Sequence, residues 1–316
     1  MPTYVVYGLT LRSEIELPEL TSGPQLADDT RADVTIGLGT LAGPPPTASQ
    51  LPLGLWRDHA SCGVEVPDVA RYEARGGNEV IVDPSPGVDA RAVRLYLLGT
   101  VMGAVMMQRG HLVLHGNAFR VGDASAVVVG HSGAGKSTLA AELHRRGLDV
   151  LSDDVVPVDT AGRALPGYPR IKLWEDAITR LGLSTDDLER VDGSAAKFNL
   201  PITRGDFGPL PLRWIYSLEK DADTTLRIEN VVGLQAFDLL NTYTYRRELV
   251  HDAAAAQQHL VRCAALAEGA RLSRVLRPEL TMSAEATADA ILADINADQP
   301  GQQPEPSRNQ PYKERV

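Results

Sequence analysis

Short alternating stretches of hydrophobic and polar residues fill the first ninety positions of the chain. Four of them are rich in the β-branched or aromatic residues typical of strands: Tyr4–Leu9, Asp33–Leu38, Arg71–Arg75 and Glu79–Val82. Proline and glycine clusters at 43–46 and 83–87 separate these stretches, and such clusters favour turns. The pattern predicts a β-rich N-terminal module over residues 1–90.

One apolar run, Leu95–Met107, lacks this alternation. It has 13 residues, whereas a membrane-spanning helix needs about 20, so we predict a buried core helix over 91–109. The first twenty residues have neither the basic start nor the sustained apolar stretch of a secretory signal. We therefore expect a cytoplasmic protein with no membrane partner.

Beyond residue 110, strand-like stretches alternate with helical ones. The predicted strands are His111–His115, Ala118–Val121, Ala126–Val129, Asp149–Leu151, Val155–Val158, Arg170–Leu173 and Leu212–Leu218. The predicted helices are Lys136–Arg146, Glu175–Leu181, Val231–Leu240, Ala253–Ala267 and Ala284–Ile295. Strands mixed with crossover helices indicate an α/β domain over residues 91–298. Residues 299–316 have no apolar periodicity, which predicts a disordered tail.

Composition narrows the classes of function. The chain has 316 residues, of which 43% are hydrophobic, enough for a sizeable core. Asp and Glu (41) outnumber Lys and Arg (31), and the net charge of −10 disfavours nucleic-acid and membrane-surface binding. The chain has two cysteines, Cys62 and Cys263, which are too few for a disulfide scaffold or a cysteine-rich zinc site. We expect both to be small buried residues.

The segment from Ala126 to Thr138, AVVVGHSGAGKST, matches the phosphate-binding pattern G-x-x-x-x-G-K-[ST] at every fixed position. An apolar strand precedes it and a helical segment follows, so the loop's N–H groups and the helix N-terminus can hold nucleotide phosphates. We expect Lys136 to reach the β- and γ-phosphates of ATP and Ser137 to ligate Mg²⁺. The predicted ATP-binding residues are Gly130, His131, Ser132, Gly133, Ala134, Gly135, Lys136, Ser137 and Thr138.

Two adjacent carboxylates, Asp153 and Asp154, follow an apolar stretch a little beyond this loop. We expect them at the carboxyl end of a strand, where ligands of open α/β sheets bind. One could then hold Mg²⁺ while the other orients the acceptor, as phosphoryl transfer requires. The alternative is a solvated turn, since aspartates commonly begin turns.

These motifs together resemble the HPr kinase/phosphorylase family. The resemblance is carried by His115-Gly116 about 15 residues before the loop, by GHSGAGKST, and by Leu151-Ser152-Asp153-Asp154-Val155, and it covers roughly residues 110–220. It implies a C-terminal fold related to phosphoenolpyruvate carboxykinase. It also implies phosphorylation of a serine on a small protein partner, and members often self-associate, so a homo-oligomer is possible. Among the divergent members, the chain is similar to those that phosphorylate precursor peptides such as lasso peptides.

The resemblance also implies residue roles. Asp153 corresponds to the base that accepts the serine proton, Asp154 to the residue that holds Mg²⁺ with Ser137, and His115 to a residue near the γ-phosphate and Asp153. The division of roles between the two aspartates stays open. Residues 164–174 do not align with the signature that bifunctional members carry after the aspartate pair, so the resemblance does not extend to phosphorylase activity.

Three further basic residues are candidate phosphate or substrate contacts. Arg170 and Lys172 alternate along a predicted strand and so share a face. Lys197 is a candidate for a second phosphate contact. The alternative for each residue is a place on the solvated surface. For several other residues, an ordinary structural role is favoured over a role in the site. These less favoured roles are a third metal-site carboxylate at Glu175, ring chemistry at His131, His251 or His259, and acidic-peptide binding by Arg246 and Arg247.

Three functions compete on these residues. The first is an ATP-dependent serine kinase acting on a protein or peptide. The second is a small-molecule kinase or NTP hydrolase, which would need an arginine-rich lid; Arg271, Arg274 and Arg277 are candidates, although their spacing also suits a strand. The third is a non-catalytic nucleotide-binding scaffold, against which the retained Lys136, Ser137 and Asp153 argue.

Overall fold

The described part of the chain has a mixed α/β architecture with three β-sheets. The computed structural model describes residues 1–27, 30–168, 170–180, 182–186, 188–191, 196–202, 207–222, 225–250, 252–278 and 283–298. The predicted tail at 299–316 and His251 lie outside the described residues.

Residues 3–84 form a nine-stranded sheet. Its strands are β1 (Thr3–Val6), β2 (Leu9–Ser13), β3 (Thr21–Ser22), β4 (Val34–Leu38), β5 (Ser49–Gln50), β6 (Leu55–Arg57), β7 (Ser61–Val66), β8 (Ala70–Arg75) and β9 (Glu79–Pro84). The order in the sheet is β3-β1-β2-β4-β9-β8-β7-β6-β5. The single strand predicted over Tyr4–Leu9 is wrong, because the chain turns at Tyr7 (φ 54°) and Gly8 (φ 75°) and returns antiparallel.

A 19-residue helix follows this sheet. It consists of α1 (Ala90–Tyr96), a π-helical turn (Leu97–Val101) and α2 (Met102–Gln108). By length and composition it could cross a membrane, but 61% of its most apolar window is buried, and it packs in one core with the nine-stranded sheet. The predicted core helix is confirmed. The division of the chain at residue 90 stays a prediction.

The remaining elements alternate strands and helices. The strands are β10 (Leu112–Val121), β11 (Ala124–Gly130), β12 (Val150–Val158), β13 (Arg163–Ala164), β14 (Arg170–Trp174), β15 (Glu189–Arg190), β16 (Lys197–Pro201), β17 (Leu210–Asp221), β18 (Arg227–Val231) and β19 (Arg271–Pro278). The helices are α3 (Lys136–Arg145), α4 (Glu175–Arg180), α5 (Leu234–Thr242), a 3₁₀ turn (Arg247–Leu249), α6 (Ala253–Gly269) and α7 (Ala284–Asp298).

Seven of these strands form the second sheet, in the order β11-β10-β12-β13-β17-β19-β18, and β11 also pairs with β17. Strand β10 is antiparallel to both β11 and β12, whereas β11, β17 and β19 run parallel. Two pairs of short predicted strands are in fact the single long strands β10 and β12. The third sheet has the order β14-β16-β15.

Gly116 explains why β10 continues where the apolar pattern breaks. A Cβ at this position would lie 2.4 Å from the carbonyl oxygen of Val128 on β11. A glycine therefore lets the two strands approach closely. Gly116 pairs with Val129 on one side and with Asp154 on the other, so β10 carries the register from the phosphate loop to the aspartates.

Candidate active site

The loop between β11 and α3 has the predicted strand–loop–helix setting. Gly133 (φ 77°) and Gly135 (φ 84°) adopt the left-handed conformation that favours glycine, and Gly135 is the N-cap of α3. The turn directs the loop into the start of the helix, whose unpaired N–H groups form a site of positive potential. The loop residues His131 to Gly133 are exposed, and Ser137 and Thr138 lie half-buried in the first turn of α3.

The ammonium group of Lys136 folds back over this loop. It donates to the carbonyl oxygens of Gly130 at 2.7 Å and His131 at 3.2 Å. Burial lowers the pKa of Lys136, and the negative charges of Asp154 and Asp153 oppose that shift. Lys136 therefore lies within electrostatic reach of both aspartates.

The aspartate pair lies in the middle of β12, so its expected place at a strand end is wrong. Asp154 has a left-handed backbone (φ 70°), which Asp tolerates better than most residues. The hydroxyl of Ser152 donates to the carbonyl oxygen of Val155 at 2.6 Å and spans this distortion. Backbone strain of this kind is concentrated at functional sites. Antiparallel pairing of β12 with β10 brings the aspartate pair beside the loop. The pair therefore does not lie at the carboxyl ends of parallel strands.

Asp153 is almost fully buried and fixed by two donors. The side-chain amide of Asn117 donates to Oδ1, and the backbone N–H of Lys172 donates to Oδ2 at 2.9 Å. Burial raises the pKa of Asp153 to about 6, against the attraction of Lys172. This carboxyl group can therefore exchange a proton close to neutral pH.

Asp154 is held in the ionised state. Although burial opposes its charge, Lys172 and His115 outweigh that effect and hold the pKa of Asp154 well below its usual range. Its Oδ2 lies 3.1 Å from the Lys172 ammonium and its Oδ1 lies 3.3 Å from Nδ1 of His115. Its side chain is 27% exposed, so it is the more accessible member of the pair.

His115 and Asn117 extend from β10 toward the two aspartates. His115 lies nearest Asp154, and its expected place beside Asp153 is taken by Asn117. Burial lowers the pKa of His115, and the negative charge of Asp154 opposes that shift. The sequence analysis missed Asn117, although residues two apart on a strand share a face and His115 was already a candidate.

Three buried tyrosines lie within electrostatic reach of Lys172. They are Tyr7 in the β1–β2 turn, Tyr168 and Tyr245. The backbone N–H of Tyr7 donates to the carbonyl oxygen of Pro166 at 2.9 Å, which connects the β1–β2 turn to the segment that follows β13. Burial opposes the charge of Lys172, but the pKa of Lys172 is raised because Asp154, Tyr168, Asp153 and Tyr245 together outweigh burial. The N-terminal sheet therefore contributes directly to the site.

The other candidate contacts lie around this centre. Arg170 lies 4.0 Å from Glu19, and Lys172, expected to clamp phosphate, is ion-paired with Asp154. Lys197 lies over the ring of Trp174 at 5.6 Å and lowers the pKa of both aspartates. Glu175 is exposed at the start of α4.

Several residues have structural roles. Arg246 donates to the hydroxyl of Thr100 in the π-helical turn, and Arg247 to Asn241. His259 is buried on α6, where its Nε2 lies 2.8 Å from the Thr244 hydroxyl. Both cysteines are buried and free, as expected. Arg271, Arg274 and Arg277 lie on β19 between two other strands, so they form no lid.

A cleft of about 570 Å³ adjoins the loop between β11 and α3. His131 and Tyr243 contribute aromatic rings whose centroids are 5.3 Å apart, and Asp238 and Arg274 add charged groups. A cleft with aromatic walls and a few polar groups has the character of a small-molecule site.

The side chains also suit Mg²⁺, which is usually held by one or two protein oxygens together with substrate phosphates and water. Ser137 supplies a hydroxyl at the helix start and Asp154 an ionised, accessible carboxylate. Within the described part of the chain, no three His, Cys, Asp or Glu side chains are grouped as a metal cage. A metal that binds mainly through nucleotide phosphates needs no such cage.

No family model matches the chain, and no curated protein matches it. Among solved structures, the chain is similar to the Hpr(Ser) kinase/phosphatase from Coxiella burnetii, with 11% sequence identity and a TM-score of 0.31. The match covers 60% of this chain and 99% of that chain. A similarity of this size carries no argument about function, which therefore has to be argued from the site itself.

Proposed function

We propose that the protein is an ATP- and Mg²⁺-dependent phosphotransferase that transfers the γ-phosphate to a serine hydroxyl of a small protein or precursor peptide. One observation carries the proposal. Beside a glycine-rich loop at a helix N-terminus, two adjacent aspartates have widely separated pKa values, with the pKa of Asp153 raised to about 6 and that of Asp154 strongly lowered. Environments that separate the pKa values of paired carboxyl groups are typical of acid–base sites.

The nucleotide's place follows from charge and shape. Its phosphates lie in the loop 131–135 against the N-terminus of α3, where Lys136 leaves the loop carbonyls and neutralises them. The nucleoside extends into the cleft lined by His131 and Tyr243. The γ-phosphate then lies toward β10 and β12, because Asp154 and Asp153 are within electrostatic reach of Lys136 at the end of the same loop.

Ser137 and Asp154 are the residues that would hold Mg²⁺, which when bound neutralises charge on the β- and γ-phosphates. Asp154 suits this task because it is ionised and accessible. Lys172 and His115 orient its carboxylate through Oδ2 and Oδ1.

Asp153 acts on the acceptor. As the serine oxygen bonds to the γ-phosphorus, the bond from that phosphorus to the β,γ-bridging oxygen breaks and ADP leaves. The proton of the serine hydroxyl passes to Asp153, whose pKa of about 6 leaves it mostly ionised at pH 7 and basic enough to accept. Asn117 and the backbone of Lys172 hold its two oxygens in place.

The serine acceptor rests on the resemblance of the motifs to HPr kinases, and competing functions lose support on specific grounds. A small-molecule kinase would use an arginine-rich lid, and the three candidate arginines are fixed within a sheet. A nucleotide-binding scaffold has no use for a buried carboxyl group whose pKa lies near neutrality.

A transfer assay with γ-labelled ATP and Mg²⁺ tests the proposal. The acceptors are serine-containing peptides, an HPr-like protein and small hydroxyl metabolites, each incubated with wild type and with Lys136→Met. Label on a peptide or protein serine, absent with the variant, is the expected result. Label found solely as free phosphate or on a metabolite would overturn the protein-serine assignment and favour the small-molecule kinase or hydrolase.

A further inference from the structure

Arg277 is a buried cation next to the phosphate loop. It lies on β19, two residues beyond Val275, and Val275 is level through Leu218 with Gly130, where the loop begins. Its residue exposure is 2%, and one terminal nitrogen of its guanidinium donates to the carbonyl oxygen of Ala134. Its Nε has no hydrogen-bond partner within the described residues.

No carboxylate of the described residues pairs with this guanidinium, unlike the other two arginines of β19. Arg271 lies 2.8 Å from Asp294, and Arg274 lies 3.5 Å from Glu219. Burial lowers the pKa of Arg277 to about 10, with no negative group acting against it. A buried charge without a counter-charge destabilises the folded state. Its presence therefore indicates an anionic ligand that the chain itself does not provide.

The contact with Ala134 indicates what that partner is. The Ala134 carbonyl belongs to the same peptide group as the N–H of Gly135, the N-cap of α3. In a phosphate-binding loop the N–H groups face the anion and the carbonyls face away. A cation that hydrogen-bonds to the carbonyl polarises the peptide and makes its N–H a stronger donor.

We propose that Arg277 is a positioning residue of the phosphate site: it holds the Ala134–Gly135 peptide toward a bound polyphosphate, whose negative charge is the one this guanidinium lacks. This inference rests on the proposed function, since it requires that the loop binds nucleotide phosphates. It predicts an arginine whose removal weakens phosphate binding without weakening the fold in the absence of ligand.

The test compares Arg277→Gln and Arg277→Lys with the control Arg271→Gln, which loses a paired arginine from the same strand. Calorimetric titration gives the affinity for Mg²⁺-ATP and for tripolyphosphate, and thermal unfolding without ligand gives Tm. We expect Arg277→Gln to lose about tenfold or more in affinity for both ligands at an unchanged or higher Tm. Lys at 277 should recover part of the affinity, and Arg271→Gln should lower Tm at unchanged affinity.

Two results would overturn the inference. One is an Arg277→Gln variant that loses Tm as the control does, or fails to fold, since the arginine would then serve the fold. The other is unchanged affinity for both ligands. If wild type itself binds neither ATP nor tripolyphosphate, the proposed function fails; if wild type binds and Arg277→Gln binds equally well, this inference alone fails.

Discussion

The ammonium of Lys172 lies 3.1 Å from Oδ2 of Asp154, and it is the strongest influence that keeps this carboxylate ionised. The backbone N–H of the same lysine donates to Asp153 at 2.9 Å. One residue of β14 therefore sets the charge of one aspartate and the orientation of the other. The side chain of Lys172 is 7% exposed, so water screens this ion pair little.

Replacing Lys172 by Met should destabilise the protein. The change leaves Asp154 without its cation, and removing one partner of a buried pair costs about 3 kcal/mol of the free energy of unfolding. The double variant Lys172→Met with Asp154→Asn should lose less, because no unpaired charge is left. Chemical denaturation of the single and double variants measures both values, and a double variant as unstable as the sum of the singles would contradict the pairing.

The raised pKa of Asp153 predicts how stability varies with pH. Between the unfolded pKa of 3.8 and the folded pKa of about 6, the folded state retains a proton that the unfolded state releases, so this group's contribution to stability falls as pH rises. At 1.36 kcal/mol per pKa unit, Asp153→Asn should gain about 3 kcal/mol relative to wild type from below pH 4 to pH 7.

The substitution by Asn is well matched to this site, since Asn117 can rotate its amide group to accept from the new side chain. Denaturant titrations at pH 4, 5.5 and 7 give the difference between the two proteins. A difference that does not change with pH would mean that Asp153 has an ordinary pKa.

Asp154→Asn should raise the Mg²⁺ concentration that gives half-maximal phosphate transfer. Loss of a metal-site partner costs about 10–100-fold in metal affinity, and Asn removes the charge while tolerating the left-handed backbone at this position. A Mg²⁺ titration of the transfer rate at saturating ATP provides the measurement. Equal Mg²⁺ requirements for the two proteins would rule out Asp154 as a ligand.

The position of Tyr7 near Lys172 predicts that the N-terminal sheet supports the site. Tyr7 is buried within electrostatic reach of Lys172, so Tyr7→Ala should open space there and lower kcat, besides costing about 3 kcal/mol of stability. Tyr72→Ala is the matched control, because Tyr72 is equally buried in the same sheet but bonds to Val93 of α1. If both variants have the same kcat per folded molecule, the sheet has no role at the site.

The strand–loop–helix setting of residues 124–145 could be predicted because its determinants are local. The glycines, Lys136 and Ser137 occupy fixed positions in one segment, and the apolar strand before them is unambiguous. The helices were also predicted close to their observed bounds. Long apolar or glycine-rich patterns of this kind depend little on the rest of the fold.

The aspartate pair was recognised but wrongly placed, because polar residues inside a strand look like its end. Pairing with β10 carries β12 on through Asp153 and Asp154, and this tertiary contact leaves no signal in the β12 segment. The electrostatic interaction of Lys172 with Tyr7 and the hydrogen bond of Arg277 to Ala134 join residues far apart in sequence, so local patterns give no indication of them.

The role of Asp153 as the base of a phosphate-transfer site can be measured by single-turnover transfer from γ-labelled ATP. Wild type and Asp153→Asn are compared at pH 7.5, with ATP affinity measured on the same samples. If Asp153 is the base, the variant should keep nearly the same ATP affinity while its transfer rate falls by about 10²-fold or more. If the Asp153→Asn variant transfers phosphate at the wild-type rate, Asp153 is not the base.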